Sequence, residues 1–315
     1  MVIKLKHTFI LLISTTFILS SCAQAQAQAH AIIKIGLIAD PQYQDAPGSG
    51  ERQYRESLWK LNEAIDTFNY YQVDFIQNLG DIINEEWRSF DSIIPVYNRI
   101  NPDTETYHLL GNHDFSIDSI QMTDLLETLS MPDCYYSYVK KKWRFIVLDA
   151  TDYSYYANPL HNHPIDKIDG SFASTEGLPN HYDWNGGIGE EQQIWLKKTL
   201  DSAKSLHQKV IIFSHMPLKP EHATNLWNHK EIVDIIESSS NVVAFINGHR
   251  HEGGYAFENG IHYITICGMV NTMISSYGIL EIYRDSLVLK GFGNQQELAP
   301  EQTASHGWKV LLEKK

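Results

Sequence analysis

Val242-Val243-Ala244-Phe245-Ile246-Asn247-Gly248-His249-Arg250-His251 is the stretch on which the fold turns. Its first half is a short β-branched and aromatic run, the composition of a buried strand. Its second half is a glycine followed by two histidines, poor choices for packing and good ones for binding. Working outward, four more apolar runs end in the same manner. Residues 32–39 lead into Asp40-Pro41-Gln42, 73–79 into Gly80-Asp81, 106–110 into Gly111-Asn112-His113-Asp114, and 209–213 into Ser214-His215. One Gly-Asp pair is an ordinary turn, and one Ser-His is an ordinary core histidine. Five such endings in succession place carboxylates, imidazoles and side-chain amides at the carboxyl ends of strands, where an open α/β sheet collects its ligands.

Between these runs the periodicity switches to helical. Residues 51–71 carry Leu58, Leu61, Ile65 and Phe68 at helical spacing, and 90–100, 117–129, 190–205 and 228–238 read the same way. Residues 143–148 form a further strand, as do 261–266. The runs 277–283 and 286–289 are joined by Arg284-Asp285 as a hairpin. The expectation is a βαβ half followed by a more antiparallel half, packed as two sheets between helices. The segment 150–187, with His161, His163 and His181 and no sustained period, reads as a long functional loop capping the crevice.

The chain has 315 residues, 43% apolar, enough to bury the core of one large domain. Its formal charge of −13 argues against nucleic acid as a partner, because phosphate-backbone binding needs clustered Lys and Arg. Residues 1–22 read as an export signal: Lys4 and Lys6 precede a short apolar stretch ending Leu19-Ser20-Ser21-Cys22. That ending resembles a lipoprotein box with Cys22 as the lipidated residue, giving a periplasmic or cell-envelope protein held to the membrane by its lipid anchor. Cleavage within the Ala/Gln linker, residues 23–31, is the rival reading. The domain then runs over 32–300, followed by a tail at 301–315. Cys134 and Cys267 read as small buried hydrophobes.

The strand-end residues suit two divalent ions. A pair of cations held roughly 3.5–4 Å apart needs an anionic ligand that can bridge them, and Asp81 is the candidate. Asp40 and Gln42 stand at i and i+2, facing one way on an extended segment, and would hold the first ion with Asp81. His249 and His251 repeat that spacing and would serve the two different ions. Asn112 and His215 complete the set around the other.

The order and wording of these motifs resemble the calcineurin-like metallophosphoesterase superfamily over residues 32–293. Within it, Ile38-Ala39-Asp40-Pro41-Gln42-Tyr43, Leu148-Asp149-Ala150, Asn185-Gly186-Gly187, Gly253-Gly254-Tyr255 and Lys290-Gly291-Phe292-Gly293 are similar to the manganese-dependent ADP-ribose/CDP-alcohol diphosphatase group. The resemblance implies a four-layer α/β/β/α sandwich of two mixed β-sheets flanked by helices. It also implies two divalent ions, Mn²⁺ first, with Mg²⁺, Fe or Zn²⁺ as alternatives. Gln42 stands where the superfamily usually has His, and an amide oxygen, the harder donor, favours Mn²⁺ or Mg²⁺ over zinc. Asn84 stands where purple acid phosphatases have a tyrosine ligand, which argues against an iron-tyrosinate centre. His113 resembles the family histidine that stabilises the transition state. Tyr43, Asn185, Gly186 and Arg250 are the implied substrate contacts, and Tyr153, Tyr155 and Trp184 are aromatic candidates for stacking. The implied substrate is a small phosphorylated molecule, a nucleotide conjugate cleaved at its phosphoanhydride bond. A phosphodiesterase or phosphomonoesterase of the same fold, or a non-catalytic binding lipoprotein, are the alternatives.

Overall fold

The computed structural model describes residues 30–295, together with the backbone of 308–311. The segment read as an export signal, Cys22 and most of the Ala/Gln linker lie outside the described residues. Two six-stranded mixed sheets form the interior. The first has the order β12-β11-β10-β1-β2-β3, from β1 (Ile33–Ile38), β2 (Phe75–Asn78), β3 (Glu105–Tyr107), β10 (Ser276–Ile282), β11 (Ser286–Gly293) and β12 (Trp308–Leu311). The second has the order β4-β5-β6-β7-β9-β8, from β4 (Tyr136–Lys140), β5 (Trp143–Val147), β6 (Lys209–Ser214), β7 (Val242–Asn247), β8 (Gly254–Glu258) and β9 (Ile261–Thr265).

Strand periodicity builds the layers. Along β5, β6 and β7, Phe145, Val147, Ile211, Phe213 and Ile246 join the core that also holds Ile35, Leu37 and Phe75 of the first sheet. The alternate residues Ile146, Ile212 and Phe245 turn to the other face. There they meet Leu196 and Leu200 of α6 (Glu190–Ser205) and Ile232 and Ile236 of α7 (His229–Glu237). Across the sheets Phe75 meets Phe145 edge-on at 5.1 Å. On the first sheet α1 (Ser57–Tyr71) presents Leu61, Ala64, Ile65 and Phe68. Gly36 lets it approach, since a Cβ there would stand 2.8 Å from the Phe68 ring. The expected four-layer sandwich is therefore the observed one.

Several details depart from the sequence reading. The β10–β11 hairpin returns to pair antiparallel with β1, so there is no separate antiparallel half. The short edge strands β4 and β8 went unread because their half-exposed residues do not alternate cleanly. Residues 117–129 form a 3₁₀ turn, Ser119–Asp124, before the single-turn α3 (Leu125–Thr128), rather than one helix. The segment 150–187 contains α4 (Asn158–His161) and α5 (Ile165–Ala173), and α2 (Arg88–Tyr97) ends before residue 100. In addition, β12 pairs with β11, so the first sheet extends into the segment read as a tail.

Candidate active site

All five strand-end motifs meet at one crevice across the carboxyl ends of both sheets. The backbone there is bent rather than extended: Asp40, Gln42, Asp81 and His249 have φ of 49°, 43°, 53° and 65°. Left-handed conformations at non-glycine residues cost energy and persist where the surroundings enforce them. The residues named from i, i+2 spacing do meet at the crevice, but through bent backbone rather than an extended segment. The loops after β1 and β2 remain laced together, with the Asp40 and Gln42 amides donating to the carbonyls of Gly80 (3.2 Å) and Asp81 (2.8 Å). Asp114 pins the same region by accepting the amides of Asp81, Ile82, Ile83 and Gly111 at 2.8–3.2 Å. Gly80, at φ 89°, must be glycine: a Cβ would stand 2.7 Å from His215 Nδ1.

The side chains sort into two groups that share Asp81. Asp81 Oδ2 lies 2.9 Å from Gln42 Nε2 and 3.3 Å from His215 Nε2. In the first group His251 Nε2 is 3.3 Å from the Gln42 amide and 3.5 Å from Asp40 Oδ1. In the second, His215 Nε2 is 3.3 Å from Asn112 Oδ1, and ligand atoms of Asp81, His215 and His249 all lie within 4.8 Å of one another. Each imidazole is aimed by a partner on its other nitrogen. His215 Nδ1 pairs with the Leu79 carbonyl at 2.7 Å, His251 Nδ1 with Asn271 Oδ1 at 2.8 Å, and His249 Nε2 with Asn185 Oδ1 at 3.1 Å. That is the outer arrangement that orients metal-binding histidines.

Two divalent ions fit these residues on a direct observation: Gln42 Oε1 is buried without a hydrogen-bond partner, on the same amide whose Nε2 meets Asp81 Oδ2 and His251 Nε2. The local charge is also set for cations. Burial acts to raise the Asp81 carboxyl, but His215, His113 and His249 hold it below the usual carboxylate range. Burial opposes charge on His215, yet Asp81 and Asp40 lift it to about 9. His251 is raised against its burial by Asp40, whereas burial and His215 push His249 well below the ordinary histidine value. Asp114 is pushed up to about 7 by burial and by Asp81, against the pull of its amide donors.

The groups open on a cavity of about 790 Å³ lined by Gln42, Asp81, Asn112, His113, His249 and His251, with Arg52, Trp184, His222, Arg250 and Asn271 opposite or beside them. Of the expected substrate contacts only Arg250 lies on this cavity. Tyr43 is a core residue, bridged to Ile83. Asn185 is fully buried and serves His249, and Gly186 is buried with its amide on Met216 Sδ. Trp184 does border the site, 5.3 Å from the His249 ring, whereas Tyr153 and Tyr155 pack against His163 and Phe172. Arg52 and Asn271 were missed. Arg52 sits in a polar stretch before α1 with no motif around it, yet its Nη1 is 3.5 Å from His113 Nε2. Asn271 lies beyond β9, twenty residues from the histidine it orients.

An aspartate shared by two groups of amide, carboxylate and imidazole side chains, on strand ends of a double-sheet sandwich, is the arrangement of a dimetal phosphohydrolase. The chain belongs to the calcineurin-like phosphoesterase family, whose model matches residues 33–253. A rice protein (Oryza sativa subsp. japonica) named manganese-dependent ADP-ribose/CDP-alcohol diphosphatase is 31% identical, the match covering 82% of this chain and 91% of that one. A human protein of the same name is 29% identical, over 84% and 91%. The crystal structure of a dimetal phosphatase from Danio rerio, 24% identical, superposes with a TM-score of 0.76 over 90% of this chain and 100% of the other, a likeness of fold.

Proposed function

We propose that this hydrolase cleaves the phosphoanhydride bond of nucleoside diphosphate conjugates, of the kind named for its relatives, and that its two ions are Mn²⁺. The observation that carries this reading is the cavity wall itself. The dimetal groups share it with two guanidinium side chains, Arg52 and Arg250, and with the indole of Trp184. A substrate with two linked phosphates and a flat base has a use for each of them: guanidinium groups pair with the second phosphate, and the indole stacks the base.

Asp40, Gln42, Asp81 and His251 would hold one ion, and Asp81, Asn112, His215 and His249 the other. When bound, the ions supply an activated water and offset charge on the phosphoryl oxygens. The amide of Gln42 and three carboxylate or amide oxygens beside it make a hard donor set, which favours Mn²⁺ or Mg²⁺. His113 is fixed by its own amide on Asp81 Oδ1 at 2.8 Å and by Nδ1 facing the Asn84 carbonyl at 3.2 Å. Its Nε2 borders the cavity, 3.5 Å from Arg52 Nη1, and in the imidazolium form would be placed to give a proton to the departing oxygen.

Hydrolysis by the metal-free chain reloaded with Mn²⁺ tests this reading over ADP-ribose, CDP-choline, a bis-aryl phosphodiester and an aryl phosphomonoester. Selective cleavage of the two nucleotide conjugates, lost in Asp81→Asn, is expected. A preference for the aryl esters would keep the dimetal phosphoesterase and remove the diphosphatase assignment.

A further inference from the structure

A second cluster of binding groups lies outside the crevice, where the 150–187 segment folds back on the end of β5. Ligand atoms of Cys134, Asp149 and His161 lie within 4.8 Å of one another, as do those of Asp152, His161 and His163. The two trios are in different states. Asp152 is satisfied: Oδ1 pairs with His163 Nε2 at 2.6 Å, and Oδ2 accepts the Gly189 amide at 2.9 Å and Gln192 Nε2 at 3.0 Å. Asp149 is not. Its Oδ1 accepts the Thr151 amide and hydroxyl, but Oδ2 makes no hydrogen bond, and neither does His161 Nε2, although the two atoms are only 3.1 Å apart. Both side chains are more than nine-tenths buried, with 2% and 8% exposure.

The two buried atoms face each other at ion-pair distance without a hydrogen bond, an arrangement that is costly unless a cation joins them. The charge balance points the same way. Burial and the carboxylates of Asp149, Asp133 and Asp152 push the Cys134 thiol well above its ordinary range, and burial raises the Asp149 carboxyl. A thiol crowded by three carboxylates is unfavourable ground for a thiolate until a cation arrives, and a bound divalent ion inverts that balance.

We propose that Cys134 Sγ, Asp149 Oδ2 and His161 Nε2 form a separate metal site that takes zinc. Binding exchanges the thiol proton for the ion and releases that proton to solvent; no other bond changes. Thiolate and imidazole donors suit zinc, with the fourth tetrahedral position taken by water, whereas the hard oxygen donors of the crevice suit manganese. The ion would fasten the end of α4 to the end of β5 and to the chain entering β4, anchoring the start of the cap. Phe115, two residues beyond His113, stands 6.4 Å from the His161 ring and 5.9 Å from that of Tyr156.

Cobalt substitution tests the site independently of any activity. None of the crevice candidates is a cysteine, so a near-ultraviolet thiolate-to-cobalt band in the stripped full-length chain reports a site outside the crevice, and cysteine substitutions identify it. The expected result is a saturable band with the intensity of one thiolate-bound cobalt per chain, which persists in Cys267→Ser and vanishes in Cys134→Ser. In His161→Gln, which keeps the thiol, loss of a direct ligand should weaken cobalt binding by more than the roughly 10- to 100-fold that outer partners contribute. No band in the wild type, a band surviving Cys134→Ser, or unchanged affinity in His161→Gln would overturn the proposal and leave a plain His–Asp pair.

Discussion

Asp40, Gln42, Asp81 and His249 reach the crevice through left-handed backbone, and this is why residue types were more legible than residue geometry. A carboxylate or imidazole after an apolar run is visible in one dimension; a turn of φ is not. The same limit explains the substrate side. Tyr43 and Asn185 were chosen from their place in motifs, and both are buried in support of the site. Arg52, which faces the cavity, has nothing distinctive beside it in the chain. A single residue also sets part of the acid response. His108 is buried against the Tyr97 ring, and burial lowers it from 6.5 to about 4. Between those two pH values the unfolded chain binds a proton that the folded chain refuses. Stability contributed by neutral His108 is thus complete above pH 6.5, falls as pH drops, and has lost roughly 3 kcal/mol near pH 4. Urea unfolding of wild type and His108→Gln across this window should show a shallower pH slope in the variant; equal slopes would contradict the assignment.

At the scale of elements, the loop after β9 shows how the site is supported from a distance. Lys60 of α1 is fully buried and donates from Nζ to the carbonyls of Met269 (2.9 Å), Val270 (3.3 Å) and Thr272 (2.6 Å). Residues 51 and 53 add backbone bonds to the same loop, from the Thr272 amide to Glu51 and from the Gln53 amide to Val270. Asn271, which aims His251, is carried by this loop. Lys60→Met leaves buried carbonyls unpaired and should cost about 1–3 kcal/mol in denaturant unfolding; a variant as stable as wild type would show that the carbonyls find other partners. Elements with strong periodicity, such as α6 and β7, matched their sequence reading closely. The edge strands β4 and β8 and the short helices of the cap did not, because half-exposed edges and single turns carry too few residues for a period to emerge.

For the whole molecule, the important fact is that the site belongs to neither sheet alone. Asp40, Gln42, Asp81 and Asn112 follow β1, β2 and β3 of the first sheet, and His215, His249 and His251 follow β6 and β7 of the second. The sandwich core holds the two sets of strand ends in register, which links burial of Phe75 against Phe145 to the meeting of carboxylate with imidazole. Chain order revealed the strands and their polar ends, but not that the C-terminal hairpin returns beside β1, since that pairing joins residues some 245 apart in sequence. The central claim is that Asp81 joins two metal ions in one site. Electron paramagnetic resonance of the chain loaded with Mn²⁺ measures this directly. The account predicts an exchange-coupled manganese pair that is replaced by isolated-ion signals in Asp81→Asn, and an isolated ion in the wild type would contradict it.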